Sequence, residues 1–205
     1  LGWPYPNLLA NNEQTGEFGL NTINILNTVV SGGSNSNNLI IPYQSGSEGP
    51  NVVHNLVGST FYHRRAGYIS PYGSSDYHIS GCLFDMDGND AQRFLNYPAS
   101  RYNVTAVDNI FSNSQSYEEY SLGTDHTNCT FDVNFNYDGS VTSGQVSFVS
   151  STNDFRLVPD LDNLAVKYMT QDSLTYKDIT GYKRPGGIDQ RDAGAYQSIS
   201  DKVTV

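Results

Sequence analysis

The chain has 205 residues and a formal net charge of −10. It lacks the run of roughly 18 apolar residues that a membrane-spanning helix needs. The chain has 21 Asp and Glu but only 11 Lys and Arg, which argues against nucleic-acid binding through a general basic surface. Gly, Asn and Ser supply most of the polar character, while 15 Tyr and 9 Phe are spread along the chain. This composition is typical of turn-rich β-structure and not of a disordered chain.

The predicted elements begin after an irregular N-terminal arm, residues 1–20. Short β-type segments then recur at 23–27, 52–57, 77–84, 104–111, 130–135 and 145–149. Polar, Gly-rich stretches separate them, and no longer stretch keeps a helical apolar period free of Gly, Pro or Asn. The sequence therefore predicts an all-β fold.

The spacing of these segments indicates a repeat. Equivalent positions at steps of 28, 27, 27 and 27 residues are Asn27, Asn55, Cys82, Asn109 and Asn136. Such a period without helices predicts stacked coils of a parallel β-helix over residues 21–157. Asn suits this position because it tolerates left-handed turns and because its amide can bond to the coils above and below. A jelly-roll capsid or lectin-like fold also fits the composition but leaves the repeat unexplained.

The two cysteines are predicted to be free thiols. Cys82 takes one of the repeat positions, and Cys129 lies about two coils away. Two coil spacings approach 10 Å, which exceeds the roughly 7 Å between Cα atoms that a disulfide allows.

From residue 148 onward the chain resembles the closing segment of proteins with the pectate-lyase-like right-handed parallel β-helix. The matching stretches are Phe148-Val149, Asn153-Asp-Phe-Arg-Leu157, Asp178-Ile-Thr-Gly-Tyr-Lys-Arg184 and Asp192-Ala-Gly-Ala-Tyr-Gln197. The chain departs from the family pattern at 158–164 and at Gln197, where an acid is expected. The resemblance implies that residues 158–205 close the last coils, and it carries no information on substrate.

The N-terminal end of the predicted solenoid has no comparable closing segment in the sequence. An open terminal coil would expose strand edges and an apolar cross-section. We therefore expect a protein partner there, either other subunits of a homo-oligomer or preceding β-helix coils.

One basic-aromatic cluster could carry catalysis. His63, Arg64 and Arg65 lie next to Tyr62 and close to Tyr68. Lyases with this fold use a base to abstract a proton and Arg or Lys to bind the uronate carboxylate, so His63 or Tyr62 and the two arginines could fill those roles. Tyr62 and Tyr68 could alternatively stack on sugar rings. The alternative, which we favour, is a solvated loop between coils that bears surface arginines.

Other candidate groups are weaker. Asp85, Asp87 and Asp90 flank a Gly in a turn that resembles a calcium loop, although it lacks the bidentate Glu of an EF-hand. Asn103 and Asn128 open glycosylation sequons. His54 and His78 fall in adjacent predicted coils, and paired carboxylates for glycoside hydrolysis could come from a set of four acids. These acids are Asp108, Glu118, Glu119 and Asp132.

Two functions follow as expectations. The first is a non-catalytic structural or adhesive β-helix subunit of a fibre, spike or surface filament. It would be extracellular, at the cell surface or virion-associated, with polysaccharide as an additional ligand. The alternative is a polysaccharide lyase or glycoside hydrolase that acts on an anionic glycan. No cofactor is expected apart from the candidate Ca²⁺.

Overall fold

A computed structural model describes residues 10–11, 22–31, 41–42, 52–62, 75–85, 103–112, 126–150, 154–170, 177–185 and 191–198. In these ranges the chain is all-β. The strands are β1 Ala10–Asn11, β2 Thr22–Leu26, β3 Val29–Ser31, β4 Ile41–Pro42, β5 Val52–Val57, β6 Thr60–Tyr62, β7 Ser75–Ser80, β8 Leu83–Asp85, β9 Asn103–Val107, β10 Ile110–Phe111, β11 His126–Thr127, β12 Phe135–Asn136 and β13 Val146–Ser147. The same ranges contain no helix, and hence none that could cross a membrane.

The strands form two main parallel sheets. One has the order β11-β9-β7-β5-β2 and the other the order β10-β8-β6-β3, so the chain alternates between them. Each strand–turn–strand unit, which we call a rung, pairs with the preceding and the following rung. The five rungs are residues 22–31, 52–62, 75–85, 103–112 and 126–131. This parallel pairing differs from the antiparallel sheets of a jelly roll.

The two strands of each rung meet at a two-residue turn whose first residue has positive φ. These residues form the first turn column: Asn27, Gly58, Gly81, Asp108 and Asn128, with φ between 46° and 63°. Gly, Asn and Asp are the residue types that accept this conformation at least cost. The backbone N–H of the first four donates to the carbonyl that precedes the next turn, for example Gly58 to Ser80 at 2.9 Å. The turns therefore continue the hydrogen-bond ladder of the sheets.

The second turn residues form a column of small polar side chains. They are Thr28, Ser59, Cys82, Asn109 and Cys129. Asn109 bonds to the rungs on both sides, as the predicted amide ladder does. Toward rung 3, its Oδ1 accepts from the Cys82 N–H at 2.9 Å and its Nδ2 donates to the Ile79 carbonyl at 3.0 Å; toward rung 5, its Nδ2 lies 3.7 Å from Cys129 Sγ. Both cysteines are free, as predicted. Burial raises the pKa of the Cys82 thiol to about 12.

The predicted Asn column is correct for one pair and wrong for the others. Cys82 and Asn109 do share a column at a step of 27 residues. Asn27 belongs instead to the first turn column, and Asn55 lies within β5, where it pairs with Asn24 and His78. Asn136 lies in β12, in a separate two-stranded sheet. Rung-to-rung steps vary because the segments between rungs differ in length.

Aromatic rings fill the interior beside the turns. Phe61, Phe84, Phe111 and Phe131 stack in sequence, with ring centroids 4.8, 4.9 and 5.0 Å apart and planes within 7°. We call this set the phenyl column. The distances match the separation of neighbouring strands in a sheet, so each rung adds one ring in register. Aliphatic residues in the other sheet complete the core, among them Leu56 and Ile79.

The described part of the predicted closing segment, 158–205, contacts all five rungs at or directly after their turns. Asn27 donates to the Lys177 carbonyl, and Ala195 N–H donates to Thr60 Oγ1 at 3.0 Å. Farther along, Gly194 N–H donates to the Gly81 carbonyl at 2.7 Å. Thr170 Oγ1 bonds to Asp108 at 2.7 Å, and Tyr168 OH donates to the Asn128 carbonyl at 2.8 Å. The closing segment therefore lies along the side of the stacked rungs on which the turn columns are found.

Candidate functional site

The predicted basic-aromatic cluster is mostly outside the described residues. His63, Arg64, Arg65 and Tyr68 all fall there. Tyr62, at the end of β6, is half-buried, and its ring packs 5.2 Å from the rings of both Tyr137 and Phe155. In this position Tyr62 takes part in an internal aromatic cluster.

The calcium candidate has one described member. Asp85 is buried, and its carboxylate accepts hydrogen bonds from Ser112 Oγ at 2.8 Å and from Tyr137 OH. Asp87 and Asp90 lie outside the described residues. In the described ranges no group of three His, Cys, Asp or Glu side chains could hold a metal ion. The visible role of Asp85 is therefore to join rungs 3 and 4 to the segment that follows rung 5.

The two sequon asparagines are exposed and already hydrogen bonded. Asn103 Nδ2 donates to Asp76 Oδ1 at 2.7 Å, across the outer face of the sheet. Asn128 Nδ2 donates to Asp108 Oδ1 at 2.7 Å and to the Tyr168 carbonyl at 3.2 Å. Each amide nitrogen that a glycan would occupy thus bridges neighbouring rungs or the closing segment.

The remaining candidate acids and histidines do not converge on one site. Asp108 is buried and accepts from Asn128 and Thr170, whereas Asp132 is exposed at a positive-φ turn. Glu118 and Glu119 lie outside the described residues. His54 is buried beside Tyr77, but His78 is exposed on the opposite face of the strands.

His54 is a buried side chain whose protonation disfavours the folded state. It is buried and stacks on Tyr77 with centroids 4.4 Å apart, while Nε2 has no hydrogen-bond partner among the described residues. Burial lowers the pKa of His54 to about 4. The unfolded chain, with the ordinary His pKa near 6.5, therefore binds the proton at a pH where the folded chain does not.

We expect no loss of unfolding free energy from His54 above about pH 6.5, where its side chain is neutral in both states. The free energy of unfolding should then fall as the pH drops toward 4. The loss is about 3 kcal/mol for a shift of this size. Urea unfolding at pH 7 and pH 4 measures it. His54→Phe keeps the ring and removes the titration, so the difference in pH dependence between the two proteins isolates this group. Equal pH dependence in both proteins would contradict the assignment.

The residues behind the C-terminal resemblance form a buried polar network. Asp178 accepts from the N–H groups of Thr180, Tyr182 and Gln197 at 2.8–3.1 Å. Arg184 is fully buried and donates to the Asp192 and Gly194 carbonyls at 2.9 and 2.6 Å. These polar groups hold the backbone of the closing segment in place.

Above this network lies an open cavity of ≈ 380 Å³. Its described walls come from four stretches of the chain. They contain Val149, Arg156, Leu157, Pro159, Asp178, Thr180, Tyr182, Tyr196, Gln197 and Ser198. The lining thus combines apolar side chains and two tyrosines with a serine, a threonine, a carboxylate, an amide and a guanidinium.

Two of these wall residues differ in how their polar groups are satisfied: the charge of Arg156 is neutralised, whereas the Ser198 hydroxyl is unpaired among the described residues. Arg156 forms an ion pair with Asp154, with Nε 2.8 and 3.0 Å from the two carboxylate oxygens. This contact lowers the pKa of Asp154 and raises that of Arg156. Ser198 is 8 % exposed, and its Oγ has no hydrogen-bond partner among the described residues. Its N–H donates to Asp192, which fixes its position in the wall.

No family model, curated protein or solved structure matches the chain. The structure itself must therefore support any functional assignment.

Sequence reasoning missed this cavity as a site. It identified 153–157, 178–184 and 192–197 only as closing motifs. The sequence signal was only that each stretch carries a side chain of a type suited to binding, namely Arg156, Tyr182 and Tyr196; the structure shows them exposed or half-exposed. What brings them together is the folding of the three segments against one another.

Proposed function

We propose that this chain is a non-catalytic structural or adhesive subunit of an extracellular, cell-surface or virion-associated fibre, spike or surface filament. One observation carries the proposal. The turn columns and the phenyl column pass through successive rungs in register, which produces a rigid, repetitive body. Such bodies present long lateral surfaces and suit contact with extended partners.

Within this proposal the body is a right-handed parallel β-helix. Parallel strands joined by a crossover follow the right-handed rule in nearly all proteins, because strand twist favours that hand. The parallel pairing of consecutive rungs and the resemblance of the closing segment both support this assignment.

The buried carboxylates in the described ranges support a structural role for the chain. Asp85, Asp108, Asp178 and Asp192 are buried, and each accepts hydrogen bonds from the protein itself. They join rungs to one another or fix the closing segment. A catalytic carboxylate instead has to reach a substrate.

The proposal includes a protein partner at the N-terminal end of the rungs. Among the described strands, β2 and β3 are the terminal strands of the two sheets. A terminal strand is a template for further pairing, so other subunits or preceding coils are expected to continue the stack. Light scattering of the purified chain, and its location on particles or cells, test this part.

We expect no turnover of any glycan, and the lyase alternative gives a direct contrast. A lyase that uses the predicted cluster would release unsaturated uronate from polygalacturonate or alginate, and Arg64→Ala or His63→Ala would abolish this activity in a folded protein. The measurement is product absorbance for the wild type and both variants, with circular dichroism as the folding control. Turnover that disappears in both variants would replace the structural proposal with the enzymatic one.

A further inference from the structure

We infer that the cavity walled by Tyr182, Tyr196, Arg156 and Ser198 binds a neutral sugar ring. This inference rests on the proposed adhesive function and assigns it a ligand class and a site. It also moves carbohydrate recognition away from Tyr62, whose ring packs against Tyr137 and Phe155.

The first argument is shape. A volume of ≈ 380 Å³ lies toward the small end of ligand pockets, which run from about 300 to 1,000 Å³. The cavity is open to solvent at Tyr182, which is 46 % exposed. A small ring that enters from one side, with the rest of its chain in solvent, fits these dimensions.

The second argument is the distribution of apolar and polar groups. Val149, Leu157, Pro159 and two tyrosine rings offer apolar surface. A pyranose has C–H groups on its flat faces and hydroxyls around its rim, so it can pack on a tyrosine ring while its hydroxyls bond at the edge. Tyrosine combines an apolar body with a polar tip and is suited to such ligands.

The third argument is a set of polar groups that the protein itself holds in place. The Ser198 N–H donates to Asp192, and Thr180, which also lines the cavity, donates its hydroxyl to Asp178. The polar side of the cavity is therefore already arranged before a ligand enters.

The fourth argument is charge, which favours a neutral sugar over a uronate. Among the described wall residues, the guanidinium is that of Arg156, which is 62 % exposed and is neutralised by its ion pair with Asp154. The Asp178 carboxylate in the wall is balanced by the buried Arg184 below it, so the described wall offers a uronate no free cation, and the chain as a whole carries a net charge of −10. An anionic glycan would have to approach against this field.

Isothermal titration of the full chain with maltohexaose, cellohexaose, mannohexaose and a galacturonate oligomer tests the inference. We expect at least one neutral oligosaccharide to bind and the galacturonate oligomer to bind more weakly. Tyr182→Ala should weaken the neutral interaction about tenfold or more, because the stacking surface is lost, whereas Tyr182→Phe should retain most of it.

Ile179→Ala is the matched control. Ile179 is 40 % exposed in the same turn as Tyr182 and is not part of the cavity wall. The inference is wrong if no neutral oligosaccharide in this panel binds, if the galacturonate binds more tightly, or if the Tyr182 and Ile179 variants lose affinity equally. Thermal unfolding of each variant separates a loss of fold from a loss of binding. The oligomeric state and glycan turnover of the same preparation test the structural proposal separately, so the two can fail independently.

Discussion

Gly194→Ala is expected to destabilise the protein by about 3–5 kcal/mol, because it combines backbone strain with a steric clash. Gly194 has φ of +91°, and a Cβ at this position would lie 2.6 Å from Leu83 Cδ1 and 2.8 Å from Thr60 Oγ1. Neither neighbour can easily move. Leu83 is fully buried in rung 3, and Thr60 Oγ1 accepts the N–H of Ala195.

Gly144→Ala is the matched control for backbone strain alone. Its φ is +80°, but a Cβ there would meet no atom within 4 Å. We expect a loss of about 1–2 kcal/mol from the left-handed conformation. Urea unfolding of the two variants at neutral pH measures the difference. Equal losses would show that the closing segment does not lie tightly against the turns of rungs 2 and 3.

Phe84→Ala is expected to cost about 3–5 kcal/mol, as large-to-small changes at buried aromatic positions do. Phe84 is in the middle of the phenyl column, and its ring stacks on both Phe61 and Phe111. Its removal leaves a cavity in the interior and breaks two ring contacts. The rungs on either side are fixed by ladder hydrogen bonds, so they cannot close the gap without breaking register.

Leu161→Ala serves as the surface comparison for this variant. Leu161 is 73 % exposed, and its loss should change the free energy of unfolding by no more than about 0.5 kcal/mol. Chemical denaturation followed by circular dichroism gives both values. A loss of less than about 1.5 kcal/mol for Phe84→Ala would argue against a stacked, closely packed interior.

The sequence supported the all-β class and the repeat, but its register was only partly predictable. The predicted Asn register mixed two columns, because Asn27 is a first turn residue and Asn109 is a second turn residue. Glycine can replace asparagine where the turn needs positive φ, and Gly58 and Gly81 do so in rungs 2 and 3. A better sequence signal for the register is a Gly, Asn or Asp turn residue with a Phe three positions after it. That spacing holds in four of the five rungs, at Phe61, Phe84, Phe111 and Phe131.

The cavity could not have been predicted in the same way. Arg156, Tyr182 and Tyr196 are separated by more than ten residues from one another in sequence, and the stretches that contain them follow no repeat. Their proximity depends on how the closing segment folds, which local pattern does not specify. Buried polar groups such as Asp178 and Arg184 resemble catalytic candidates in sequence, and only their hydrogen bonds to backbone reveal their structural role.

The lateral course of the closing segment has a consequence for how the protein unfolds. Stacked repeats that touch only their neighbours behave as a one-dimensional array and can unravel stepwise from one end. Here a single C-terminal stretch bonds to Asn27, Thr60, Gly81 and Asp108, which belong to four different repeats. Loss of any one of them therefore disturbs attachments at the others. We expect this cross-linking to merge the separate steps into one all-or-none transition, whereas a chain that ends before residue 158 should melt gradually.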